Sequence, residues 1–243
     1  MKIHSWEFFL KKVLCIDEAE LIAILVAGTQ KSQCFKIDKK NGKRKIYYLD
    51  KVGATRKFEV IQKKLLKNFF SKIPLPTVAK GFKKESSYNQ YLVEHIGNEY
   101  FLHLDIKEFF DSITEKQIRD SLSNLVTDEK VMDYIIKICT LEEDEKRFVP
   151  QGWVTSPCIS NIIFRRLDQC ILKYCQSIHK IEGKSVEITY TRYADDLLFS
   201  SDEFNFQEYA YFKKMIIYIL KNGGFKCNKR KTIVCKNEIS LGG

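Results

Sequence analysis

The chain has 243 residues, 44% of them hydrophobic, and its 41 Lys and Arg against 31 Asp and Glu give a formal net charge of +10. This length and apolar content suffice to bury a core in one large domain or two interlocked subdomains, and the basic excess favours a polyanionic partner. No apolar run reaches the length of a membrane span, and the apolar residues 21–27 belong to an internal helix, so we expect a cytoplasmic protein with no membrane partner.

The eight cysteines include no C-x-x-C pair and lie mostly in apolar patterns, which is typical of reduced thiols in the cytoplasm. Cys170, Cys175 and His179 resemble part of a zinc cluster. A fourth ligand is not evident and the spacing fits no usual zinc finger, so we expect no zinc site.

The first hundred residues combine helical periodicity with one hairpin signal. Asn41-Gly42 stands between two alternating runs, a pattern typical of a tight β-turn. Asp17 followed by Glu20 resembles a capping box, and Gly28 is a helix stop. The predicted elements are a helix over residues 6–14, a helix from Asp17 to Gly28, strands at 34–37 and 45–49, and a helix over 58–70.

After residue 100 the predicted order is β-α-β-β-α-β. This split βαβ order predicts an α+β fold, with an antiparallel sheet and helices on one face. The predicted elements are a strand at 100–106, helices at 114–126, 130–139 and 158–178, strands at 187–193 and 197–200 around a tight turn, a helix at 206–220, and strands at 225–228 and 232–235.

Three carboxylates suggest phosphoryl transfer. This reaction needs hard oxygen ligands for two divalent cations about 4 Å apart. Asp195 and Asp196 stand at the tip of a predicted hairpin, and Asp105 ends a strand that a split βαβ sheet can place beside it. Each signal alone is ordinary, because a strand-end Asp usually caps a turn or helix and an aromatic-x-Asp-Asp string also arises by chance. Crowded together without metal, the three would repel each other.

Five segments carry recognisable motifs: the hairpin at 35–46, FLHLDIKEFFDSI at 101–113, PQGWVTSP at 150–157, YTRYADDLLFS at 190–200 and NGGFKCNKRKT at 222–232. They resemble motifs of the reverse transcriptase family and occur in the family's order. Among its members, bacterial retron-type enzymes are the most similar, through RYADD at 192–196, KICT at 137–140 and SNI at 160–162. The group's N-A-x-x-H element keeps only His95 here, which leaves a relative acting in phage defence open.

The resemblance implies the fingers and palm of a right-hand polymerase. Residues 1–79 and 114–149 would form the fingers, and residues 80–113 and 150–243 the palm. The thumb is expected to be absent or truncated, either because the chain is shortened or because a partner protein supplies the clamp.

The resemblance also implies roles for individual residues. Asp105, Asp195, Asp196 and the carbonyl of Ile106 would bind two Mg²⁺ ions, with Mn²⁺ as a substitute. The nucleotide contacts implied are Lys39 and Arg44 on the triphosphate, Phe110 as a steric gate against a ribose 2′-hydroxyl, Gln151 in the pocket and Lys231 as proton donor to pyrophosphate. The primer contacts implied are Tyr193 and Gly242. The simpler alternatives are surface charge for Lys39 and Arg44, a core aromatic for Phe110 and a turn residue for Gln151.

The function expected is RNA-directed DNA polymerisation, with an RNA template, a DNA or RNA primer and dNTPs. The alternative is an inactive or template-independent relative that acts as a nucleic-acid-binding module. An RNA-directed RNA polymerase shares the palm chemistry, but Phe110 argues against it. Gly183-Lys184-Ser185 does not form a phosphate-binding P-loop, because the required earlier glycine is Ile178. A structured noncoding RNA and an effector protein stay open as partners.

Overall fold

The computed structural model describes residues 1–29, 32–39, 42–49, 53–82 and 87–241. The chain divides into two compact units, each made of two segments. Met1–Pro74 and Phe110–Ile163 form the first unit, and Leu75–Phe109 and Phe164–Gly243 form the second. In the described part of the chain, no helix is both long and apolar enough to cross a membrane.

Helices account for most of the first unit and for two long segments of the second. The α-helices are α1 (Trp6–Phe8), α2 (Glu18–Thr29), α3 (Gly53–Asn68), α4 (Tyr88–Leu92), α5 (Glu115–Leu122), α6 (Glu129–Cys139), α7 (Ser156–Ser177) and α8 (Ala210–Asn222). A π-helix covers Phe9–Leu14, and short 3₁₀ turns cover Phe70–Lys72, Val93–His95 and Lys229–Lys231.

The strands form one larger sheet and several hairpins among the described residues. They are β1 (Ser32–Lys39), β2 (Gly42–Leu49), β3 (Tyr100–Asp105), β4 (Leu141–Glu143), β5 (Lys146–Phe148), β6 (Lys180–Ile181), β7 (Lys184–Ser185), β8 (Thr189–Tyr193), β9 (Asp196–Ser201) and β10 (Ile233–Lys236). The larger sheet has the order β10-β3-β9-β8, and every neighbouring pair is antiparallel.

The first unit is a helical core carrying the β1–β2 hairpin. Helix α5 begins at a capping box between Thr114 and Gln117, and Asp128 caps α6, so local sequence fixes both starts. The hairpin is longer than predicted, and its turn at residues 40–41 lies outside the described residues. The predicted helix over residues 6–14 is α1 followed by a π-helix, in which Phe9 and Val13 are buried.

The segment after Val149 packs within the first unit. The Tyr47 N–H donates to the carbonyl of Gln151 at 2.7 Å, and the Phe58 and Trp153 rings meet edge to face at 5.2 Å. These contacts explain why residues 150–163 group with the hairpin, whereas the sequence expectation placed them with the palm. Residues 75–79, expected in the fingers, belong to the second unit. Residues 110–113, expected in the palm, belong to the first unit.

In the second unit the two faces of the sheet are covered differently. Tyr190 and Phe199 stack at 4.8 Å on one face, and Phe212 of α8 meets Phe199 at 5.3 Å. The Tyr190 hydroxyl donates to Asp168 of α7 at 2.8 Å, so both long helices lie on this face. The other face carries a smaller buried cluster around Tyr91, with partly buried Leu92 and Leu241 packed against it.

The predicted strand at residues 225–228 is wrong. This segment makes a single isolated bridge, between Ile106 and Cys227, although the Lys107 N–H donates to Lys226 O at 2.8 Å and the Asn228 N–H donates to Asp105 O at 2.8 Å. The segment meets the chain where β3 has already ended, so a ladder cannot extend. The small hairpins β4–β5 and β6–β7 were not predicted, and residues with positive φ close them, among them Asp144 and Glu182.

Candidate active site

Two of the three predicted carboxylates face each other across neighbouring strands. Asp105 ends β3 and pairs directly with Asp196, which begins β9. The third is adjacent, because the Ile106 N–H donates to the carbonyl of Asp195 at 2.9 Å. Directly paired residues share one face of a sheet, and here it is the face opposite α7 and α8. The three residues therefore meet at one end of the sheet, although 90 residues separate Asp105 from Asp195 in sequence.

A two-residue turn, Ala194-Asp195, joins β8 to β9, and we call it the carboxylate turn. Ala194 has φ 55°, a left-handed conformation that costs an L-residue roughly 1–2 kcal/mol. Arg192 offsets this strain, since its Nη1 donates to the Ala194 carbonyl at 3.0 Å. The guanidinium is itself held by Asp168, with Nε–Oδ1 at 2.9 Å and Nη2–Oδ2 at 2.8 Å, and both side chains are fully buried.

Gly81 lies in close contact with the carboxylate turn. A Cβ on Gly81 would lie 2.7 Å from the backbone nitrogen of Ala194, a distance that real Cβ atoms do not adopt. The adjacent Lys80 N–H donates to the Arg192 carbonyl at 2.7 Å. Residues 80–81 therefore run directly against the turn, and only a glycine allows this approach.

Lys231 supplies a cation to the site. Its Nζ lies 2.5 Å from Asp105 Oδ2. The 3₁₀ turn that carries it is capped by the preceding Asn228, whose side chain accepts from the Arg230 N–H. Burial lowers the pKa of Lys231, but the hydrogen bond and charge of Asp105 outweigh it and raise that pKa overall. For Asp195, burial first and the neighbouring charge of Asp196 second raise the pKa above its usual value.

The donor set suits divalent cations. Three carboxylates offer hard oxygen ligands, and an ammonium group already sits among them, so the local field favours positive charge. Within the described residues, no three His, Cys, Asp or Glu side chains are arranged as a ready-made metal site.

His103 is a site neighbour that the sequence reading missed. Its Nε2 lies 2.9 Å from Asp196 Oδ1, and the residue is 7% exposed. The available signal was its position two residues before Asp105, because alternate residues of a strand share a face. Gly81 carried no comparable signal.

The predicted nucleotide contacts lie mostly in the first unit. Phe110 is buried there at 8% exposure, and the Gln151 carbonyl accepts from the Tyr47 N–H. Lys39 and Arg44 belong to β1 and β2, where Arg44 pairs with Ile37; their side chains lie outside the described atoms.

Phe109 is a core aromatic of the second unit. Its ring contacts those of Phe225 at 5.7 Å and Phe164 at 5.9 Å. Of the predicted primer contacts, Tyr193 lies within an aromatic group, 5.3 Å from Tyr88 and 6.0 Å from Tyr91, and Gly242 lies outside the described residues.

The chain is similar to one protein family and to several curated proteins. The family model described as "Reverse transcriptase (RNA-dependent DNA polymerase)" matches residues 37–242. Retron Ec73 reverse transcriptase of Escherichia coli is 32% identical over 174 residues, which cover 68% of this chain and 51% of the relative. Retron Ec86 reverse transcriptase of Escherichia coli is 27% identical over 200 residues, covering 78% of this chain and 58% of the relative. The chain thus spans about half the length of the curated relatives it matches.

Among solved structures, an apo telomerase from Candida tropicalis, truncated from its C-terminal domain, has a TM-score of 0.52. The match covers 89% of this chain and 52% of the telomerase, at 14% sequence identity. At this identity the likeness concerns the fold alone.

Proposed function

The chain belongs to the reverse transcriptase family, and from this premise we propose that it is an RNA-directed DNA polymerase that adds dNTPs to a primer on an RNA template. The observation that carries the proposal is the direct pairing of Asp105 with Asp196, with Asp195 adjacent in the carboxylate turn. The curated relatives named above are retron reverse transcriptases, which supports a retron setting. A role in phage defence and a cytoplasmic location are further parts of this proposal.

Asp105, Asp195, Asp196 and the carbonyl of Ile106 would hold two Mg²⁺ ions, for which Mn²⁺ is the natural substitute. Bound there, they would supply activation of the primer 3′-hydroxyl and neutralisation of the charge on the departing pyrophosphate. Lys231 would leave Asp105 as the ions bind, and its ammonium group would donate a proton to the pyrophosphate oxygen. The contact with Asp105 raises the pKa of Lys231 before the ions bind, and a lysine without that contact is also protonated at neutral pH, as this role needs.

The remaining contacts would select and hold the substrates. Lys39 and Arg44 would bind the triphosphate of the incoming dNTP through charge-assisted hydrogen bonds. The Phe110 ring would exclude a ribose 2′-hydroxyl, and Gln151 would line the pocket. Tyr193 and Gly242 would contact the primer. A structured noncoding RNA, and an effector or thumb-supplying protein, are further partners of this proposal.

Primer extension tests the proposal. The purified chain is supplied with an RNA template, an annealed primer, dNTPs and Mg²⁺, and we expect template-dependent products. Asp195→Asn should reduce extension by roughly a hundredfold or more, because a charged ligand of the proposed cations is lost. Asp202→Asn is the matched control, since Asp202 follows β9 but is exposed and outside the site. Extension that survives Asp195→Asn would contradict the assigned site.

Two further arms separate the alternatives. Products formed without template would favour a template-independent enzyme, and oligonucleotide binding without any extension would favour a binding module. Phe110→Ala should increase the use of NTPs relative to dNTPs. An unchanged ratio would remove Phe110 from the role of gate.

A further inference from the structure

We propose that His103 is a positioning residue that orients the Asp196 carboxylate for divalent cation binding. The inference rests on the proposed function, because it concerns the same carboxylates. It assigns a role to His103, for which the sequence analysis gave none. Its consequence is measurable as metal affinity, independently of polymerisation.

The geometry begins with the sheet. His103 lies on β3, two residues before Asp105, so both side chains occupy the face on which Asp196 also lies. The distance from His103 Nε2 to Asp196 Oδ1 is 2.9 Å. An ionised carboxylate has no proton to give, so Nε2 is the donor. One oxygen of Asp196 is thereby anchored, while the carboxylate keeps lone pairs for a cation.

The donor is held by a rigid support. Strand β3 lies between β10 and β9, so the backbone of His103 is paired on both sides, with Ile233 and with Leu198. The side chain is 7% exposed, which restricts the ring to the observed orientation. Asp196 starts β9 next to the strained carboxylate turn, and its side chain is about one-third exposed. The hydrogen bond from the buried His103 ring therefore restrains the more exposed Asp196 carboxylate.

An uncompensated polar atom argues against a purely structural role. Among the described atoms, His103 Nδ1 is buried and has no hydrogen-bond partner. A buried nitrogen in this state is unfavourable, and an apolar side chain at the same position would avoid it. The bond from Nε2 to Asp196 is therefore the contact that accounts for a histidine here. Hydrogen-bonded supports of metal-binding carboxylates typically change metal affinity by about 10–100-fold when removed.

His95 provides the matched control. It is also buried in the second unit, at 3% exposed, and it also contacts β9. Its two ring nitrogens meet the hydroxyls of Ser200 and Thr191, at 2.6 Å and 2.7 Å, and not a carboxylate. Changing His95 should therefore lower stability without changing metal affinity.

The experiment measures Mn²⁺ binding to the full chain by electron paramagnetic resonance, without nucleic acid or nucleotide, and Mg²⁺ affinity by competition. His103→Leu removes the donor. His103→Gln places an amide nitrogen near the former Nε2 and preserves it, whereas His103→Asn stays polar but is too short to reach Asp196. We expect Mn²⁺ affinity to fall about 10–100-fold in the Leu and Asn variants. It should stay within about threefold of the original in His103→Gln and in His95→Gln.

Thermal unfolding of each variant accompanies the titration. If His103→Leu is too unstable to measure, the comparison of Gln with Asn decides. Equal Mn²⁺ affinity in the Gln and Asn variants, or an equal loss in His95→Gln, would overturn the proposal. Failure of the chain to extend a primer would refute the proposed function but leave this comparison intact, because the titration needs only the metal ion.

Discussion

Acid should weaken the fold around the candidate site through His95. Burial first, and the nearby Lys80 second, lower the pKa of His95 from 6.5 to about 4. Thr191 donates its hydroxyl hydrogen to the Tyr91 carbonyl, so it accepts from His95 Nε2. His95 Nδ1 is then the acceptor for the Ser200 hydroxyl, and a proton there would break the chain of hydrogen bonds.

The pH dependence of stability follows from whether the folded or the unfolded chain binds the proton. Below pH 6.5 the unfolded chain takes up a proton that the folded chain excludes until about pH 4. The contribution of neutral His95 is therefore complete above pH 6.5 and is lost as the pH falls towards 4. At about 1.4 kcal/mol per pKa unit, the full loss is about 3.5 kcal/mol. That is a large fraction of a typical stability of roughly 5–15 kcal/mol.

His95→Gln isolates this effect, because every other titrating group is shared with the original chain. Urea unfolding followed by circular dichroism, between about pH 7.5 and pH 4.5, gives the free energy of unfolding of both proteins. At the upper end the variant should be less stable by roughly 1–2 kcal/mol, for lost hydrogen bonding. Towards the lower end the difference should shrink and then reverse. Curves that stay parallel over the whole range would refute the reasoning.

Three more outcomes follow from the site. Asp195→Asn should raise the unfolding temperature measured without divalent ions, because burial and a neighbouring carboxylate disfavour the charge of Asp195, and it should abolish extension measured with Mg²⁺. Equal unfolding temperatures would contradict this. Gly81→Ala should reduce extension at least about tenfold, because its Cβ would lie 2.7 Å from a backbone nitrogen of the carboxylate turn. Gly223→Ala is the control and should keep activity, because its Cβ would meet only a leucine side chain. Arg192→Lys and Asp168→Asn should each cost about 3 kcal/mol in urea unfolding, and the double variant should cost less than the sum of the two.

Local periodicity is enough to predict the elements that carry the carboxylates. Residues 100–106 alternate as a strand, and the structure has β3 at Tyr100–Asp105. The two runs around residues 194–196 similarly correspond to β8 and β9. Short runs of this kind predict strands, and the β-α-β-β-α-β order then limits how the strands can pair.

Long-range side-chain pairs leave no such pattern. His103 and Asp196 are 93 residues apart, and Asp168 and Arg192 are 24 apart, so their contacts depend on register and on helix placement. In the sequence, His103 fits the alternating pattern of a strand, and that pattern does not indicate its contact with Asp196. The same limit explains the wrong strand at residues 225–228, whose residues have strand character but meet a partner strand that has already ended.

The arrangement of the three carboxylates opposes their own electrostatics. Burial and the charge of Asp196 disfavour ionised Asp195, and buried Asp105 is stabilised by a lysine that the proposed ions would displace. The geometry is held from outside the site, by strand register and by the guanidinium of Arg192 on the carboxylate turn. Since bound cations would convert the repulsion into attraction, the interactions that destabilise the metal-free chain are those that favour metal binding. Substitution of Asp195 should therefore raise the stability of the metal-free chain and lower catalysis, whereas substitution of Arg192 should lower both.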